Sequence, residues 1–369
     1  MNAYFFHPYE LAFGGYSHSG KTTLITKLIK ILSSDYDVAY VKHDIHRFQM
    51  DYEHKDTFKA YKNGADSVFI SDPKHYAQIH VGGMDKVVQR QAFLDADFAL
   101  IEGYKRSEIF KIILIDKEEK ILEEFKEGKL ANVIAFVGDK EGRTDIPEEC
   151  QYFHWDDLEG IKGCVLDHMY QKAKKIPLHG LVLAGGKSTR MKMDKSLLNY
   201  HGKTQVEFCY DLLQNFCKKV FVSNRQEQTQ LQGHNRLPQI NDTFLNMGPM
   251  GGILSALKEF PKTPWLVLAC DLPFVTKEVL EILLGKRNLF KYATAYQSDH
   301  NAFPEPLCAV YEAKMYNQFL KFLAQGYQCP RKVLINSNIK MIQQIQKKSL
   351  DNINHPEEYQ EVIEGIKKR

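Results

Sequence analysis

Residues 180–195 constrain the fold of this chain more than any other stretch. The run 180–183 is apolar, and its length and composition are typical of a buried β-strand. Gly185 and Gly186 follow, and the chain then becomes polar and basic as far as Lys195. Paired glycines after a strand let the backbone approach a ligand closely and direct N–H groups at an anion. The stretch therefore predicts a strand that opens into a phosphate-binding loop.

A second glycine loop, residues 15–22, reads G-x-x-x-x-G-K-T without a mismatch. A short apolar strand at 11–13 precedes it, and apolar residues at helical spacing follow in 23–32. Strand, loop and helix are the context that a P-loop requires. In such a loop Lys21 reaches the β- and γ-phosphates and the Thr22 hydroxyl ligates Mg²⁺. The residues expected to contact the nucleotide are Gly15, Ser17, His18, Ser19, Gly20, Lys21, Thr22 and Thr23.

Two further features of the first half concern metal ions. The apolar strand 98–101 ends in Glu102, as a Walker B segment does, so Glu102 is a candidate to hold Mg²⁺ or orient a water. The alternative is a solvated acid at a strand end. His43 and His46 form an H-x-x-H pair, but no third ligand is evident. We therefore favour contact with phosphate or solvent over a metal site there.

Length, charge and cysteine usage narrow the class of protein. A chain of 369 residues predicts two domains. The net charge of +3 argues against a strongly basic nucleic-acid binder, so any anion site must be local. The seven cysteines are scattered without CxxC spacing, which predicts neither a disulfide framework nor a zinc site. Neither a signal peptide nor an apolar run of the ~20 residues that a membrane span needs is evident, and we expect a cytoplasmic protein.

Four successive strands of the second half finish in polar residues or glycines. The strand 180–183 opens into the paired glycines, the strand 219–223 ends in Asn224, the strand 238–241 in Asp242, and the apolar strand 265–270 in Asp271. Each of these residues taken singly is as often a cap or turn residue as a ligand. Their shared position at strand ends predicts the ligand edge of a doubly wound sheet.

The stretch 183–195 resembles the signature L-A-G-G-x-S-x-R-M-x-x-D-K of the nucleotidyltransferases, in the form found in molybdenum cofactor guanylyltransferases. The resemblance covers about residues 178–364, although Lys192 stands where the family usually has Gly, and His355 where it usually has Thr. It implies that Lys195, Arg190 and Asp271 are catalytic, and that Asp271 holds Mg²⁺ bridging the phosphates. The residues that it implies for GTP binding are Leu183, Ala184, Gly185, Gly186, Lys195, Asn224, Asp242 and Asp271.

The first half resembles the P-loop GTP-binding protein of molybdopterin-guanine dinucleotide assembly, often called MobB. Besides the loop, the match includes Val-Lys-His at 41–43 and Glu-Gly-Tyr-Lys at 102–105. Together the two resemblances imply two three-layer α/β domains, a P-loop NTPase-like domain over 1–174 and a Rossmann-like nucleotidyltransferase domain over 175–369. A short basic linker that ends at Pro177 is expected to separate them.

The resemblances imply a bifunctional protein of molybdenum cofactor biosynthesis. Its second domain would transfer GMP from GTP to the terminal phosphate of molybdopterin or Mo-molybdopterin and release pyrophosphate. Its first domain would bind and slowly hydrolyse GTP. Molybdenum-insertion proteins and molybdoenzyme acceptors are possible partners, whereas no nucleic acid or membrane is expected.

Two alternatives stay open at the level of the sequence. The glycine loop does not select a base, so a cytidylyl- or sugar-1-phosphate nucleotidyltransferase with a scaffolding P-loop domain is one of them. A GTPase-regulated assembly factor with an inert transferase half is the other. The intact Lys195 and Asp271 argue against an inert half.

Overall fold

The chain forms two compact units, 1–167 and 168–369. The computed structural model describes residues 4–42, 52–53, 55–140, 143, 145–186, 194–231, 233–345, 348–353 and 358–359. The limit between the units lies inside one continuous helix, Leu158–Lys174, which includes the start of the expected linker. The functional domain limits 1–174 and 175–369 stay a prediction.

The first unit is built on a parallel sheet. Its elements are β1 (Glu10–Gly14), α1 (Lys21–Leu32), β2 (Val38–Lys42), α2 (Asp56–Lys62), β3 (Ser67–Ser71), β4 (Tyr76–His80), α3 (Lys86–Gln91), β5 (Phe98–Glu102), β6 (Lys111–Leu114), α4 (Lys120–Lys126), β7 (Val133–Gly138) and β8 (Gln151–His154), followed by α5 (Leu158–Lys174). The main sheet has the order β2-β5-β1-β6-β7-β8, and each of its pairings is parallel. Strand β3 pairs with β4 in a separate two-stranded antiparallel sheet.

The position of β1 explains why a ligand loop follows it. Strands β5 and β2 lie on one side of β1 and strands β6, β7 and β8 on the other, so the direction of winding reverses at β1. In open α/β sheets, ligands bind outside the carboxyl ends of the strands at such a switch point. All five residues of β1 are buried, and α1 turns Leu24, Ile25, Leu28 and Leu32 into the core at helical spacing. The predicted strand–loop–helix is confirmed.

The second unit is built on a mixed sheet. Its elements are β9 (His179–Leu183), a 3₁₀ turn (Lys195–Leu197), α6 (Gln205–Gln214), β10 (Lys219–Asn224), a 3₁₀ turn (Gln226–Gln228), β11 (Gln239–Asn241), α7 (Pro249–Glu259), β12 (Trp265–Ala269), α8 (Lys277–Gly285), β13 (Ala293–Gln297), β14 (Pro304–Tyr311), α9 (Met315–Ala324), α10 (Pro330–Ile335) and β15 (Lys340–Ile342). The sheet order is β11-β10-β9-β12-β14-β13-β15. Strand β14 runs antiparallel to both of its neighbours, a reversal that no local pattern indicated.

Strand β9 occupies the switch point of this second sheet, because its parallel neighbours are β10 and β12. The glycine loop that begins at Ala184 therefore leaves the sheet where a ligand crevice is expected. The strand ends that carry Asn224 and Asp271 lie on either side of it, since β10 and β12 finish at the same edge. The α/β architecture expected for both halves is confirmed.

Candidate functional site

A cleft lies at the carboxyl edge of β9 in the second unit, bounded by the glycine loop, the Lys195 turn, the start of α7 and the loop after β12. Its lining includes seven of the residues implied for GTP binding: Leu183, Ala184, Gly185, Gly186, Lys195, Asp242 and Asp271. Asn224 does not line it. Arg190 and Lys192 lie outside the described residues, so their predicted roles stay predictions.

Gly185 brings the loop against the strand ends without a side chain in the way. A Cβ atom on this residue would lie 3.0 Å from Oδ2 of Asp242, a tighter approach than most Cβ atoms make. The loop is tied down on both sides of that contact: the Ala184 N–H donates to the Ser223 carbonyl at 2.9 Å, and Arg225 Nε donates to the Gly185 carbonyl at 3.1 Å. A loop whose backbone is fixed by hydrogen bonds and carries no side chain toward the cleft is suited to bind phosphate oxygens.

Lys195 and Asp271 come together in the cleft from different elements. The Lys195 ammonium lies 3.8 Å from Oδ2 of Asp271, and each side chain keeps about a fifth of its surface exposed (19% and 21%). Burial raises the pKa of the Asp271 carboxyl, and the Lys195 ammonium opposes that shift. Oδ1 of Asp271 is buried and has no hydrogen-bond partner among the described residues. A buried carboxylate oxygen without a donor is costly unless a cation meets it.

The orphaned oxygen of Asp271 is the observation on which a metal ion can be tested. The described residues contain no cluster of three or more His, Cys, Asp or Glu side chains able to hold a metal. Mg²⁺ is commonly bound in proteins by one or two carboxylates, with water and substrate phosphates completing the octahedron. A single carboxylate beside a phosphate-binding loop fits that mode of binding and does not fit a closed, all-protein metal cage.

Asp242 faces the same cleft but is held differently. It follows β11, and its Oδ1 accepts a hydrogen bond of 2.7 Å from Ser223 Oγ. Burial raises the pKa of the Asp242 carboxyl, while the Ser223 bond and the Arg225 charge lower it. Helix α7 packs close behind these strand ends because Gly252 has no side chain: a Cβ there would meet Ser223 Oγ at 2.3 Å. The start of α7 at Pro249 also lines the cleft and adds the positive end of a helix dipole.

The P-loop of the first unit lies between β1 and α1, as the sequence predicted. Gly20 has a φ of 82° and is the N-cap residue of α1, and a Cβ on it would lie 2.7 Å from the indole of Trp155. Lys21 Nζ folds back onto its own loop and donates to the carbonyls of Tyr16 (2.6 Å) and Gly15 (3.2 Å). Burial lowers the pKa of Lys21. The loop residues that are expected to contact nucleotide all keep part of their surface exposed: Gly15, Ser17, His18, Ser19, Gly20, Lys21, Thr22 and Thr23.

Glu102 is tied directly to the P-loop. The Thr22 hydroxyl lies 2.9 and 2.8 Å from its two carboxylate oxygens. Tyr40 OH donates to Oε2 at 2.6 Å, and Lys42 Nζ lies 3.6 Å from Oε1. The two groups expected to hold Mg²⁺ are therefore adjacent, and both offer the hard oxygen ligands that this ion prefers. The carboxylate of Glu102 is buried and hydrogen-bonded, which does not fit the alternative of a solvated acid at a strand end.

Sequence reasoning missed several residues around these sites. No sequence pattern singles out Tyr40 or Trp155. Tyr40 contacts Glu102 and Trp155 contacts Gly20, and in each pair the two residues are far apart in the chain. His234 was also missed, although it lies buried between Asn224 and Ser196. Only the strand-end position of Asn224 pointed toward that cluster. His43 and His46 lie outside the described residues.

Comparison with known proteins assigns the two halves separately. Residues 180–362 match the family model of the MobA-like NTP transferase domain, and residues 11–139 match that of the molybdopterin guanine dinucleotide synthesis protein B. A probable molybdenum cofactor guanylyltransferase from Nostoc is 31% identical over 194 residues, which are 51% of this chain and 91% of that relative. The chain belongs to the molybdenum cofactor guanylyltransferase family.

A second relative has a higher sequence identity to this chain, but the match covers a smaller share of that relative. It is the molybdenum cofactor biosynthesis bifunctional protein of Synechocystis, 39% identical over 186 residues, or 50% of this chain. The chain spans only about half (54%) of that relative. Among solved structures, a molybdopterin-guanine dinucleotide biosynthesis protein A from Archaeoglobus fulgidus is 26% identical, with a TM-score of 0.45, and the match covers 52% of this chain and 100% of that one.

The two family models agree with the expected organisation, a MobB domain followed by a MobA-like transferase domain. The family generally uses a divalent metal ion. Across the part of the chain that the structure describes, no helix has both the length and the apolar composition that crossing a bilayer requires.

Proposed function

We propose that the second unit of this chain transfers GMP from GTP to the terminal phosphate of molybdopterin or Mo-molybdopterin. The observation that carries the proposal is the pairing of Lys195 with Asp271, 3.8 Å apart across a cleft that opens onto the glycine loop at the switch point of the sheet. A cation and a carboxylate with an unsatisfied oxygen meet where a triphosphate would lie. The names of the relatives, probable molybdenum cofactor guanylyltransferases, support guanylyl as the group transferred.

The chemistry follows from where these side chains lie. The triphosphate of GTP rests on the backbone of Gly185 and Gly186, and Asp242 contributes to holding the nucleoside. An oxygen of the acceptor phosphate attacks the α-phosphorus, the bond between that phosphorus and the bridging oxygen breaks, and pyrophosphate leaves with the electron pair. The nucleophile is already an anion, so no general base is needed.

Lys195 neutralises the charge that develops on the leaving pyrophosphate, and a preorganised cation in a partly desolvated cleft is effective in this role. Arg190 is expected to assist it. Asp271 would hold Mg²⁺, which when bound supplies charge neutralisation and orients the phosphates. Positioning and electrostatic stabilisation therefore carry the step.

For the first unit we propose GTP binding on the P-loop with weak hydrolysis. Thr22 and Glu102 would hold Mg²⁺, as the adjacency of their oxygens at 2.8 and 2.9 Å supports. The first unit would help present the cofactor or pass it on. Molybdenum-insertion proteins and molybdoenzyme acceptors are proposed as partners, and neither nucleic acid nor membrane is proposed. The cytoplasm is the proposed location, and the seven free cysteines suit a reducing compartment.

The test is a nucleotide panel with the full-length chain and molybdopterin. GTP, CTP, ATP and UTP are supplied with Mg²⁺ in parallel, and dinucleotide products are quantified by mass spectrometry. We expect the guanine dinucleotide and stoichiometric pyrophosphate from GTP. A preference for CTP would support the cytidylyl alternative, and no product from any nucleotide would refute nucleotidyl transfer. The Asp271→Asn variant, expected to be on the order of 100-fold slower, is assayed beside it.

A further inference from the structure

A fully buried histidine, His234, joins the ends of two strands to the turn that carries Lys195. Its side chain has no exposed surface. Nε2 lies 2.7 Å from Ser196 Oγ, in the residue next to Lys195, and Nδ1 lies 3.3 Å from Asn224 Nδ2 at the end of β10. Gln239, on β11, accepts from the same Asn224 amide at 2.8 Å.

The donors and acceptors along this path have only one consistent assignment. The Asp194 carboxylate can only accept, so Ser196 donates its hydroxyl proton to Asp194 Oδ1 at 2.7 Å. Ser196 Oγ must then accept from His234, which requires the proton of the ring to be on Nε2. Nδ1 is left as an acceptor, and the Asn224 amide supplies its donor. The neutral imidazole that this assignment requires agrees with burial, which lowers the pKa of His234 against the opposing charge of Asp194.

Asp194 is the point at which this path acts on the cleft. Its Oδ1 also accepts from the Ser196 N–H at 3.0 Å, which caps the 3₁₀ turn Lys195–Leu197. Its Oδ2 accepts from Gln228 Nε2 at 2.6 Å, and the same amide donates to the Ala184 carbonyl at 3.1 Å. The orientation of the Asp194 carboxylate therefore sets where the Lys195 turn begins. Through Gln228 it also sets the distance between that turn and the glycine loop.

We propose that Asn224, His234, Ser196 and Asp194 form a hydrogen-bonded relay that holds Lys195 in position for the transfer step. His234 and Asn224 are positioning residues in this relay and do not touch substrate. The proposal rests on the proposed function of the second unit. It accounts for the placement of Asn224, which has no exposed surface and does not line the cleft, at a strand end where a nucleoside contact was expected.

Three substitutions separate the relay from simple core packing. His234→Phe keeps an aromatic ring of similar size but removes both ring nitrogens. His234→Gln keeps an N–H donor close to the position of Nε2, and so keeps the bond to Ser196. His179→Phe is the matched control, because His179 is also a buried histidine of this unit (6% exposed), packed against Phe260 and Trp265 at the start of β9.

Steady-state guanylyl transfer is measured on the full-length chain for each variant, with thermal unfolding recorded in parallel. A loss of positioning of about 1 Å can cost on the order of 100-fold in rate. We expect His234→Phe to lower kcat by roughly 10- to 100-fold with little change in the KM for GTP. His234→Gln should recover most of that loss, and His179→Phe should leave kcat unchanged. In a Lys195→Ala background, adding His234→Phe should have little further effect, because the relay acts through Lys195.

A readout that does not depend on activity distinguishes failure of the relay from failure of the proposed function. In the ¹⁵N-histidine-labelled chain, the His234 ring should show the neutral Nε2–H tautomer. The relay is overturned if His234 shows the Nδ1–H tautomer, if His234→Phe retains the wild-type kcat, or if the Phe and Gln variants lose activity equally. A wild-type chain that makes no dinucleotide overturns the proposed function instead, and the tautomer then decides the relay alone.

Discussion

Replacement of Lys195 by alanine removes the cation that faces Asp271 in the cleft. The ammonium lies 3.8 Å from the carboxylate, and both side chains are about four-fifths buried, with 19% and 21% of their surfaces exposed. A unit charge at about 4 Å is worth about 4 kcal/mol at an effective dielectric constant of about 20. A phosphate oxygen at a similar distance would gain comparably. Partial exposure screens part of this, and removal of one preorganised electrostatic contact typically costs about 2.7–4 kcal/mol in the transition state.

We therefore expect Lys195→Ala to lower kcat and kcat/KM together by roughly 100- to 1000-fold. Lys195→Arg should restore nucleotide binding better than turnover, since a planar guanidinium does not replace a compact ammonium in a tight turn. The control is Lys277→Ala, because Lys277 is an exposed lysine of the same unit, paired with Glu281 on α8.

The assay is steady-state guanylyl transfer over a range of GTP concentrations, with thermal unfolding to confirm that each variant folds. A raised KM with an unchanged kcat would mean that Lys195 contributes only to ground-state binding. Kinetics close to wild type for Lys195→Ala would refute its catalytic role altogether.

Three further predictions concern other sites. In a Trp265→Phe chain, GTP should change the fluorescence of Trp155, whose indole contacts the P-loop. Lys21→Ala should abolish this change while transferase activity persists. No fluorescence change on addition of GTP would contradict a nucleotide site at the P-loop. Asp271→Asn should lower guanylyl transfer by on the order of 100-fold or more without loss of thermal stability, and wild-type turnover at ordinary Mg²⁺ would remove Asp271 from the metal site. Burial lowers the pKa of Lys111 to about 8, below its unfolded value of about 10.4. Between these two pH values the unfolded chain binds more protons than the folded chain. The contribution of Lys111 therefore makes the free energy of unfolding rise with pH across that window. Denaturant unfolding of the full-length wild-type and Lys111→Met chains, followed across this pH range, should show the rise only in the wild type. An identical pH dependence of the free energy of unfolding in both proteins would exclude the contribution.

Local sequence patterns were sufficient for the elements that carry the two glycine loops. The apolar run before Gly15, the glycine spacing and the helical periodicity of 23–32 predicted β1, the P-loop and α1, which the structure contains. The apolar run at 265–269 likewise predicted β12 and delivered Asp271 to the cleft. These features depend on residues that are neighbours in the chain, so periodicity and backbone preference are enough to specify them.

Such local patterns could not predict which residues far apart in the chain contact each other. The hydrogen bond of Tyr40 to Glu102 joins residues 62 positions apart, and Ser196 and His234 are 38 apart. Asn224 shows the limit most clearly. Its strand-end position predicted a ligand contact, but the side chain is enclosed by Gln239 and His234 and reaches the cleft only through other residues. The insertion of β14 antiparallel between β12 and β13 is of the same kind, because a strand pattern does not encode its partner or direction.

The sequence by itself determined the two α/β units, the two glycine loops at their strand ends and the family to which the chain belongs. These follow from glycines where the backbone must approach a ligand, from apolar runs that must be buried, and from lysines placed beside both. Only the tertiary structure decided that Lys195 faces Asp271, that Thr22 meets Glu102, and that a buried histidine joins Asn224 to the Lys195 turn. The physical reason is that charge pairing and hydrogen-bond direction depend on distances of a few ångströms between strand ends, and the order of strands in the sheet sets those distances.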